Sequence, residues 1–353
     1  MYTRLKPLLF RSDAERVHER VMGALSWTAE HPGVLRLLGA ACTVRDPRLS
    51  TRAFGLTFPN PVGLAAGFDK NAVAVPTWAA LGFGFVEVGS VTARAQSGNA
   101  KPRLFRLPED EAIVNRMGFN NDGAEVVAAR LEALRKTGNV RVPLGVNVGK
   151  SKVTPLGEAP QDYLGSLKTL WPHADYFVIN VSSPNTPGLR ALQERERLDE
   201  LLGAIGAFTA SQPPRPVLLK LAPDLSDAAL AEVAELASTH QLAGIVATNT
   251  TVSRDGLNTP VDQSGGLSGR PLRARSLEVL HFLTSLGTSL PVVSVGGVAT
   301  PDDVFARLEA GACLVQLYTS LVYEGPMLVG RLNRELLARL EQRGLTLQDL
   351  GAR

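Results

Sequence analysis

The chain has 353 residues, of which 44% are hydrophobic and 20% are charged, and its formal net charge is +3 at pH 7. This composition is typical of a globular protein with one large domain or two ordinary ones, and the weak charge without basic runs argues against a nucleic-acid partner. The two cysteines, Cys42 and Cys313, are far apart and lack a metal-ligand spacing, so we expect a reducing compartment, no disulfide framework and no metal site.

The first segment, residues 1–45, differs from the remainder and is predicted to be a small N-terminal helical extension. Ser12–Glu15 matches the capping-box pattern, and Val17, Val21 and Leu25 then recur on one face of a helix. No stretch of the chain is apolar over a length that spans a bilayer, and the N-terminus has no signal-peptide core. We therefore expect neither a transmembrane helix nor a signal peptide.

A second helical stretch of the extension begins at Pro32 and carries Leu35 and Leu38. In a generic protein, two such amphipathic helices pack on the main domain or on a second subunit. The alternative is a surface that contacts a membrane or admits an apolar ligand. The sequence leaves both interpretations open, together with the oligomeric state.

One unit repeats through most of residues 46–353: a short apolar strand, polar or glycine-rich residues, a helical stretch and another strand. The predicted strands lie near residues 62–66, 85–89, 144–148, 176–181, 217–221, 244–248, 292–295 and 314–318. The last helix signal has Thr300 as its N-cap, Pro301 in its first turn and Gly311 as its stop. Eight such repeats predict an α/β fold, a closed parallel (β/α)8 TIM barrel, with a doubly wound open sheet as the alternative.

Two connections are longer than a barrel requires. Residues 90–122 lie between the second and third predicted strands, and residues 250–275 follow the sixth. Long loops in compact domains are usually functional or disordered. Because both loops follow the C-terminal ends of strands, we expect them to cover an active site.

The most informative segment is Asp175–Arg190, in which a short apolar strand ends in asparagines, serines and prolines around Ser183. Taken alone, such residues are common turn formers. The same pattern recurs at other strand ends, however, and in a parallel barrel those ends carry the chemistry. This recurrence favours a functional role for Ser183 and its neighbours.

The predicted strand ends are rich in carboxamides, hydroxyls, lysines and glycines, and they lack a carboxylate pair or a His/Cys/Asp cluster. This set argues against a metal hydrolase and against a paired-carboxylate glycosidase. Several carboxamides suit a planar ligand with amide edges, and Lys70 and Lys220 suit anionic groups. Gly296 and Gly297 suit a phosphate, because barrels often bind phosphate after the seventh and eighth strands. Together these features describe a phosphate-bearing planar cofactor over a small anionic heterocycle.

At these residues the chain closely resembles the dihydroorotate dehydrogenases of the membrane-associated, quinone-reducing class, which are flavin enzymes of pyrimidine synthesis. The resemblance rests on seven segments that span most of the chain in family order: 65–70 (AAGFDK), 101–106 (KPRLFR), 115–121 (NRMGFNN), 180–190 (NVSSPNTPGLR), 248–251 (TNTT), 265–271 (GGLSGRP) and 317–319 (LYT). Jointly these motifs are highly specific, and the N-terminal helices also match this class.

The resemblance implies a role for each matching residue. Ser183 matches the catalytic base, a position that the soluble classes fill with cysteine. The residues that match substrate contacts are Lys70, Asn115, Arg116, Met117, Gly118, Phe119, Asn180, Asn185, Asn249 and Thr250. The residues that match the FMN site are Ala66, Gly67, Lys70, Ser90, Asn147, Asn180, Lys220, Thr248, Gly269, Gly297, Tyr318 and Thr319.

The implied reaction is oxidation of dihydroorotate to orotate, with FMN as cofactor and a membrane quinone as electron acceptor. It implies that residues 1–45 form a membrane and quinone site, that residues 46–353 form the FMN-binding catalytic barrel, and that the protein is peripheral on the cytoplasmic face of the bacterial cell membrane. Two rival functions are another flavin barrel reductase, acting on free pyrimidines or on tRNA uridines, and a non-enzymatic barrel that binds a partner through its amphipathic arm.

Overall fold

The structure is a computed structural model and describes residues 2–351. Its strands are β1 (Thr51–Ala53), β2 (Leu56–Phe58), β3 (Val62–Leu64), β4 (Phe85–Val91), β5 (Leu104–Leu107), β6 (Ala112–Asn115), β7 (Leu144–Val148), β8 (Tyr176–Asn180), β9 (Val217–Leu221), β10 (Gly244–Ala247), β11 (Gly266–Gly269), β12 (Val292–Val295) and β13 (Ala312–Leu317).

The α-helices lie outside the barrel and at the chain ends. They are α1 (Tyr2–Phe10), α2 (Ala14–Ala29), α3 (Pro32–Cys42), α4 (Val75–Ala80), α5 (Ala124–Lys136), α6 (Ala159–Leu170), α7 (Arg195–Thr209), α8 (Asp227–Thr239), α9 (Arg273–Ser285), α10 (Pro301–Glu309), α11 (Thr319–Glu324), α12 (Leu328–Arg343) and α13 (Leu347–Gly351). Short 3-10 turns occupy Pro47–Leu49, Leu156–Glu158, Trp171–His173, Leu189–Gln193 and Arg270–Leu272.

Eight parallel strands close into a barrel in the order β3-β4-β7-β8-β9-β10-β12-β13, and β13 pairs again with β3. The predicted (β/α)8 barrel is therefore confirmed, and the open doubly wound sheet is excluded. Three of the eight barrel strands have the predicted limits, and the limits of the other five differ by one or two residues. β13 begins at Ala312 instead of Leu314, because a bulge at Cys313 lets Ala312 pair with Val292 ahead of the regular register.

The lower half of the barrel interior is packed with aromatic and aliphatic side chains. Phe85 and Tyr176 point inward and are almost fully buried, and glycines on neighbouring strands leave room for their rings. A Cβ at Gly63 would lie 2.2 Å from Phe85 Cζ, and one at Gly145 would lie 2.1 Å from Tyr176 Cζ. The barrel is consequently a filled core, and open space remains only towards the C-terminal ends of its strands.

The N-terminal extension differs from the sequence prediction in two ways. The N-cap of α2 is Asp13, whose carboxylate accepts a hydrogen bond from Arg16 N at 2.9 Å, so the predicted capping box that starts at Ser12 is wrong by one residue. Helix α1 was not predicted, because Pro7 lies inside it and interrupts the helical pattern. Helix α3 begins at Pro32 as expected.

The extension packs closely on the barrel. Met22, Leu25 and Leu38 contact the main core, and Cys42 is fully buried within it. The Thr77 hydroxyl also donates to Leu25 O at 2.7 Å, which joins α4 to α2. The interpretation in which these helices pack on the main domain is thus observed for one of their faces.

The two long loops pair with each other above the barrel. Strands β5 and β6 form an antiparallel hairpin within the first loop, and β11 of the second loop adds to β6. The resulting three-stranded sheet lies over the C-terminal ends of the barrel strands, as the position of the loops led us to expect. The helix that follows β12 also has its predicted cap, in which the side chains of Thr300 and Asp303 bond reciprocally.

Candidate active site

A cavity opens at the C-terminal ends of the barrel strands, beneath the three-stranded sheet. It brings together almost all the residues predicted for the site. Those that line it are Ala66, Gly67, Lys70, Ser90, Asn115, Met117, Gly118, Phe119, Asn180, Ser183, Asn185, Lys220, Thr248, Asn249, Thr250, Gly269, Gly297, Tyr318 and Thr319.

Two predicted residues do not line the cavity. Asn147 lies one layer deeper and is fully buried. Arg116 points away from the cavity: its guanidinium donates to Gln263 Oε1 and to Pro102 O, each at 2.9 Å, and lies 4.8 Å from the centre of the Phe105 ring. The Arg116 side chain therefore holds the covering loops together.

Ser183 follows β8 at the end of the barrel and is 7% exposed. Its Oγ lines the cavity and accepts a hydrogen bond from the backbone N–H of Asn185 at 3.3 Å. An N–H directed at a hydroxyl oxygen stabilises negative charge on that oxygen. The position suits a hydroxyl that takes up a proton from a ligand in the cavity.

The buried carboxamides form a continuous hydrogen-bond network. Asn180 Nδ2 donates to Ser90 Oγ at 2.9 Å and to Asn147 Oδ1 at 3.1 Å. Asn180 Oδ1 accepts from Asn249 Nδ2 at 3.2 Å and from the Ser182 hydroxyl at 3.1 Å. Because every member is fixed by its neighbours, the amide edges facing the cavity have defined orientations.

A second carboxamide pair lies at the roof. Asn185 Nδ2 donates to Asn115 Oδ1 at 3.1 Å, and Asn249 Oδ1 accepts from Thr250 N at 2.8 Å. The Thr250 side chain can lie close to β11 because residue 266 is a glycine: a Cβ there would lie 2.0 Å from Thr250 Oγ1. The roof therefore offers both donors and acceptors to a planar polar ligand.

Two lysines bring positive charge to the cavity. Burial lowers the pKa of Lys70 to about 8, while Glu15 raises it and Arg103 lowers it further. Burial also lowers the pKa of Lys220, and the nearby Glu87 carboxylate raises it. An anionic ligand beside either ammonium would favour its charged form.

The opposite end of the cavity is made of glycines and hydroxyls. Gly297 has φ +67° and Gly269 has φ +101°, backbone conformations that favour glycine. The Ser268 and Thr319 hydroxyls are 2.8 Å apart, and the buried Ser320 Oγ has no hydrogen-bond partner within residues 2–351. A glycine-rich backbone beside several hydroxyls, one of them without a partner, suits a phosphate group.

Sequence reasoning missed several polar residues around the cavity. Gln316 lines it, and its buried Oε1 has no partner in the described part of the chain. His18 of α2 packs edge-on against Phe68 with ring centres 5.2 Å apart, and burial together with Lys70 lowers its pKa to about 3. Glu15 and Arg103 form a buried ion pair of 2.8 Å between α2 and the covering loop. The alternation of residues along β13 could have indicated Gln316. The contacts of His18, Glu15 and Arg103 join residues that are far apart in the sequence, so no local pattern indicates them.

The fold and the cavity define a (β/α)8-barrel enzyme whose site suits a planar, phosphate-bearing cofactor and a small polar ligand. Among residues 2–351, no group of three or more His, Cys, Asp or Glu side chains is arranged to hold a metal ion. The donor set that is present fits a flavin: carboxamides and Lys220 at one end, and glycines with hydroxyls at the other.

The family model for dihydroorotate dehydrogenase matches residues 48–340. The chain is 54% identical over 339 residues to a dihydroorotate dehydrogenase (quinone) of Thermus thermophilus, an alignment that covers 96% of each chain. It is 52% identical over 348 residues to the enzyme of that name from Chloroflexus aurantiacus, covering 94% of this chain and 95% of the relative. A crystal structure of DHODH from Eimeria tenella in complex with ferulenol superposes with a TM-score of 0.87 at 38% identity, covering 96% and 94% of the two chains.

The chain therefore belongs to the dihydroorotate dehydrogenase family, and its relatives place it in the quinone-dependent class. Membership of this family implies a flavin cofactor. Family membership also excludes the two rival functions, another flavin barrel reductase and a non-enzymatic barrel. Within residues 2–351, no helix has both the length and the apolar character needed to cross a bilayer.

Proposed function

We propose that this chain oxidises dihydroorotate to orotate with FMN as its redox cofactor and passes the electrons to a membrane quinone, in the de novo synthesis of pyrimidine nucleotides. The observation that carries the proposal is one cavity in which Ser183, five carboxamides and two lysines converge beside a glycine-rich end. Family membership supplies the reaction, and the cavity supplies side chains that fit each of its steps.

The proposed FMN site runs across the barrel mouth. FMN held there would supply a hydride acceptor for the substrate and an electron donor for the quinone. Lys220 lies where it can stabilise the negative charge that reduction adds. The backbone around Gly297 and Thr319, which line the cavity, would hold the phosphate. The other residues proposed to contact FMN are Ala66, Gly67, Lys70, Ser90, Asn180, Thr248, Gly269 and Tyr318, whereas Asn147, predicted as an FMN contact, lies below them and accepts a hydrogen bond from Asn180 Nδ2.

The proposed substrate site lies between the carboxamides and the roof. Asn115, Asn185 and Asn249 offer paired donors and acceptors to the amide edges of the pyrimidine ring. Lys70 attracts the substrate carboxylate. Asn180, Thr250 and residues 117–119 complete the proposed contacts. Arg116 supports them indirectly, because its guanidinium holds the covering loop through Gln263.

Ser183 is the proposed base. In its deprotonated form, the Oγ takes a proton from the ring carbon next to the carbon that gives up hydride to the flavin, so that a carbon–carbon double bond forms and Ser183 ends as a neutral hydroxyl. The Asn185 N–H stabilises the alkoxide form of Ser183 that takes up the proton, and the surrounding carboxamides stabilise the charge that develops on the substrate carbonyl. Because Ser183 is only 7% exposed, bulk water has little access to this residue.

Residues 1–45 are proposed to form the quinone entrance and a shallow membrane contact. Among residues 2–45, the large apolar side chains that are exposed include Leu5, Leu8, Trp27 and Leu37. Exposed arginines nearby, among them Arg16 and Arg36, suit anionic lipid headgroups. The protein would thus be peripheral on the cytoplasmic face of the bacterial cell membrane.

A comparison of electron acceptors tests the proposed function. The purified protein should be yellow, should release FMN on denaturation, and should reduce a quinone analogue only when dihydroorotate is added. Fumarate and NAD offered at the same concentration should support little or no turnover. Turnover with NAD or fumarate that equals turnover with the quinone analogue would overturn the assignment of the acceptor.

A further inference from the structure

Glu87 is a carboxylate inside the barrel, below the cavity, with no exposed surface. It lies on β4 two residues after Phe85, and alternate residues of a strand point to the same side, so both face the barrel axis. Phe85 belongs to the apolar layer, whereas Glu87 belongs to the polar layer directly above it. A buried carboxylate is costly unless it is paired and hydrogen-bonded.

Glu87 contacts polar side chains from three other barrel strands. Its Oε1 accepts from Asn147 Nδ2 at 2.8 Å, and its Oε2 accepts from Gln316 Nε2 at 2.6 Å. Lys220 Nζ lies 3.8 Å from Oε1, which is close enough for a strong charge interaction but too far for a hydrogen bond. One carboxylate thereby links β7, β9 and β13 beneath the cavity.

The bond to Asn147 fixes the orientation of that carboxamide. Because Asn147 Nδ2 is directed at Glu87, Asn147 Oδ1 faces upward, where it accepts from Asn180 Nδ2 at 3.1 Å and from the Ser90 hydroxyl. Asn180 and Ser90 line the cavity. Glu87 therefore determines which edge the carboxamides present to a ligand, although it does not line the cavity itself.

The same carboxylate sets the charge below the cavity. Lys220 lines the cavity and is 4% exposed, and its Nζ lies only 3.8 Å from the Glu87 carboxylate. At such separations inside a protein, one charge strongly changes the electrostatic effect of the other. An ammonium that faces a carboxylate stabilises added negative charge less than an uncompensated ammonium does.

We propose that Glu87 is a positioning residue that lowers the reduction potential of the bound flavin by compensating the charge of Lys220 and by orienting Asn147. This inference rests on the proposed function, because it requires the flavin to lie over Lys220. In this proposal Glu87 tunes the cofactor from below the cavity and does not contact the substrate.

The test is the midpoint potential of the flavin in Glu87→Gln, measured in the holoenzyme by reductive titration against reference dyes. The variant keeps the side-chain shape and removes the charge, so the potential should become less negative. We expect at least a tenfold change in the two-electron reduction equilibrium, which corresponds to about 30 mV. Gln316→Met is the matched control: it removes one hydrogen bond to Glu87 without changing charge, and it should shift the potential less.

A second measurement asks whether Glu87 acts through Lys220. In a Lys220→Gln background, the shift caused by Glu87→Gln should shrink, because the charge that Glu87 compensates is absent. An unchanged or more negative potential in Glu87→Gln would overturn the inference, as would loss of flavin from Glu87→Gln but not from Gln316→Met. The titration uses no dihydroorotate, so a failure of the proposed substrate would be seen separately as flavin that dihydroorotate cannot reduce.

Discussion

At the residue scale, Ser183 carries the proton-transfer step of the proposed mechanism. Ser183→Ala should keep the flavin, because the hydroxyl is assigned to the substrate, but flavin reduction by dihydroorotate should slow by about 10²–10⁴-fold, as expected for loss of a general base. Ser183→Cys should retain more activity than Ser183→Ala, since a thiol can take up the proton. Rapid mixing under anaerobic conditions measures the rate, and near-normal reduction by Ser183→Ala would remove the serine from this role.

Lys70 gives the substrate site a pH dependence. Its pKa is lowered to about 8, so the free enzyme loses the ammonium charge as the pH rises through that value. Binding of the product orotate, followed by flavin absorbance, should therefore be constant below about pH 7 and should weaken above about pH 8, up to tenfold per pH unit.

Two lysine variants test whether Lys70 causes this pH dependence. Lys70→Met should bind orotate weakly at every pH and lose the alkaline limb. Lys136→Met should behave as the wild type, because Lys136 lies exposed on α5. An alkaline limb that persists in Lys70→Met would assign it to another group.

The sequence predicted the residues at the strand ends better than those below them. Ser183, Asn180 and Asn249 could be predicted because each lies at or just after the end of an apolar strand, and a barrel brings all such ends to one face. The role of Glu87 could not be predicted, because Glu87 lies within a run of apolar residues and its partners are on other strands. Those partners become evident only when β4, β7, β9 and β13 are placed around one axis. Arg116 was predicted as a substrate contact from its motif, whereas its side chain bonds to Gln263 outside the cavity.

At the element scale, the turn between β12 and α10 is the proposed phosphate site. Arg307 is 1% exposed, and its guanidinium and the Ser276 hydroxyl both donate to Gly296 O. Within residues 2–351 no partner lies within hydrogen-bond distance of Arg307 Nε or Nη1. This leaves a buried positive charge directly behind the glycine turn, held between α9 and α10.

Arg307→Met should weaken FMN binding about tenfold or more, because a charged group supporting the phosphate turn is lost, and should weaken riboflavin binding much less. Reconstitution of the flavin-free protein with each flavin measures the two affinities. Arg339→Met is the control, since Arg339 packs on the same helix α10 from the exposed side. Equal losses for FMN and riboflavin would contradict a phosphate site at this turn.

The elements themselves were predicted where local signals are strong. The helix at Pro301–Glu309 has the expected cap at Thr300, because the capping residues are neighbours in sequence. The covering sheet was predicted only as two long loops, since β11 pairs with β6 across about half of the chain and neither segment reveals its partner. Helix α1 was not predicted because Pro7 lies inside it and interrupts the helical pattern. Tertiary contacts stabilise this helix, among them the hydrogen bond that the Tyr2 hydroxyl donates to Val322 O at 2.5 Å.

At the scale of the whole molecule, the exposed apolar residues of the extension define the face that should meet a membrane. Leu37→Glu combined with Leu8→Glu should reduce association with vesicles containing anionic lipid and raise the KM for a long-tailed quinone, because both side chains are exposed, 75% and 60% respectively. Turnover with a small soluble electron acceptor should be unchanged. Vesicle sedimentation and steady-state kinetics measure these effects.

Val126→Glu is the matched control for the membrane face. Val126 is 45% exposed on α5, which belongs to the barrel and not to the extension. It should leave both vesicle binding and quinone kinetics unaltered. Equal loss of vesicle binding in the control and in the Leu8/Leu37 variant would show that the N-terminal helices do not determine the contact.

The central claim is that dihydroorotate reduces the bound flavin and that a quinone reoxidises it. The most direct measurement is sequential anaerobic mixing of the purified protein, first with dihydroorotate and then with a quinone analogue, while flavin absorbance is followed. The account predicts bleaching of the flavin on the first mixing, with one orotate formed per flavin, and return of the oxidised spectrum on the second. A flavin that dihydroorotate leaves oxidised, or a reduced flavin that the quinone analogue fails to reoxidise, would contradict it.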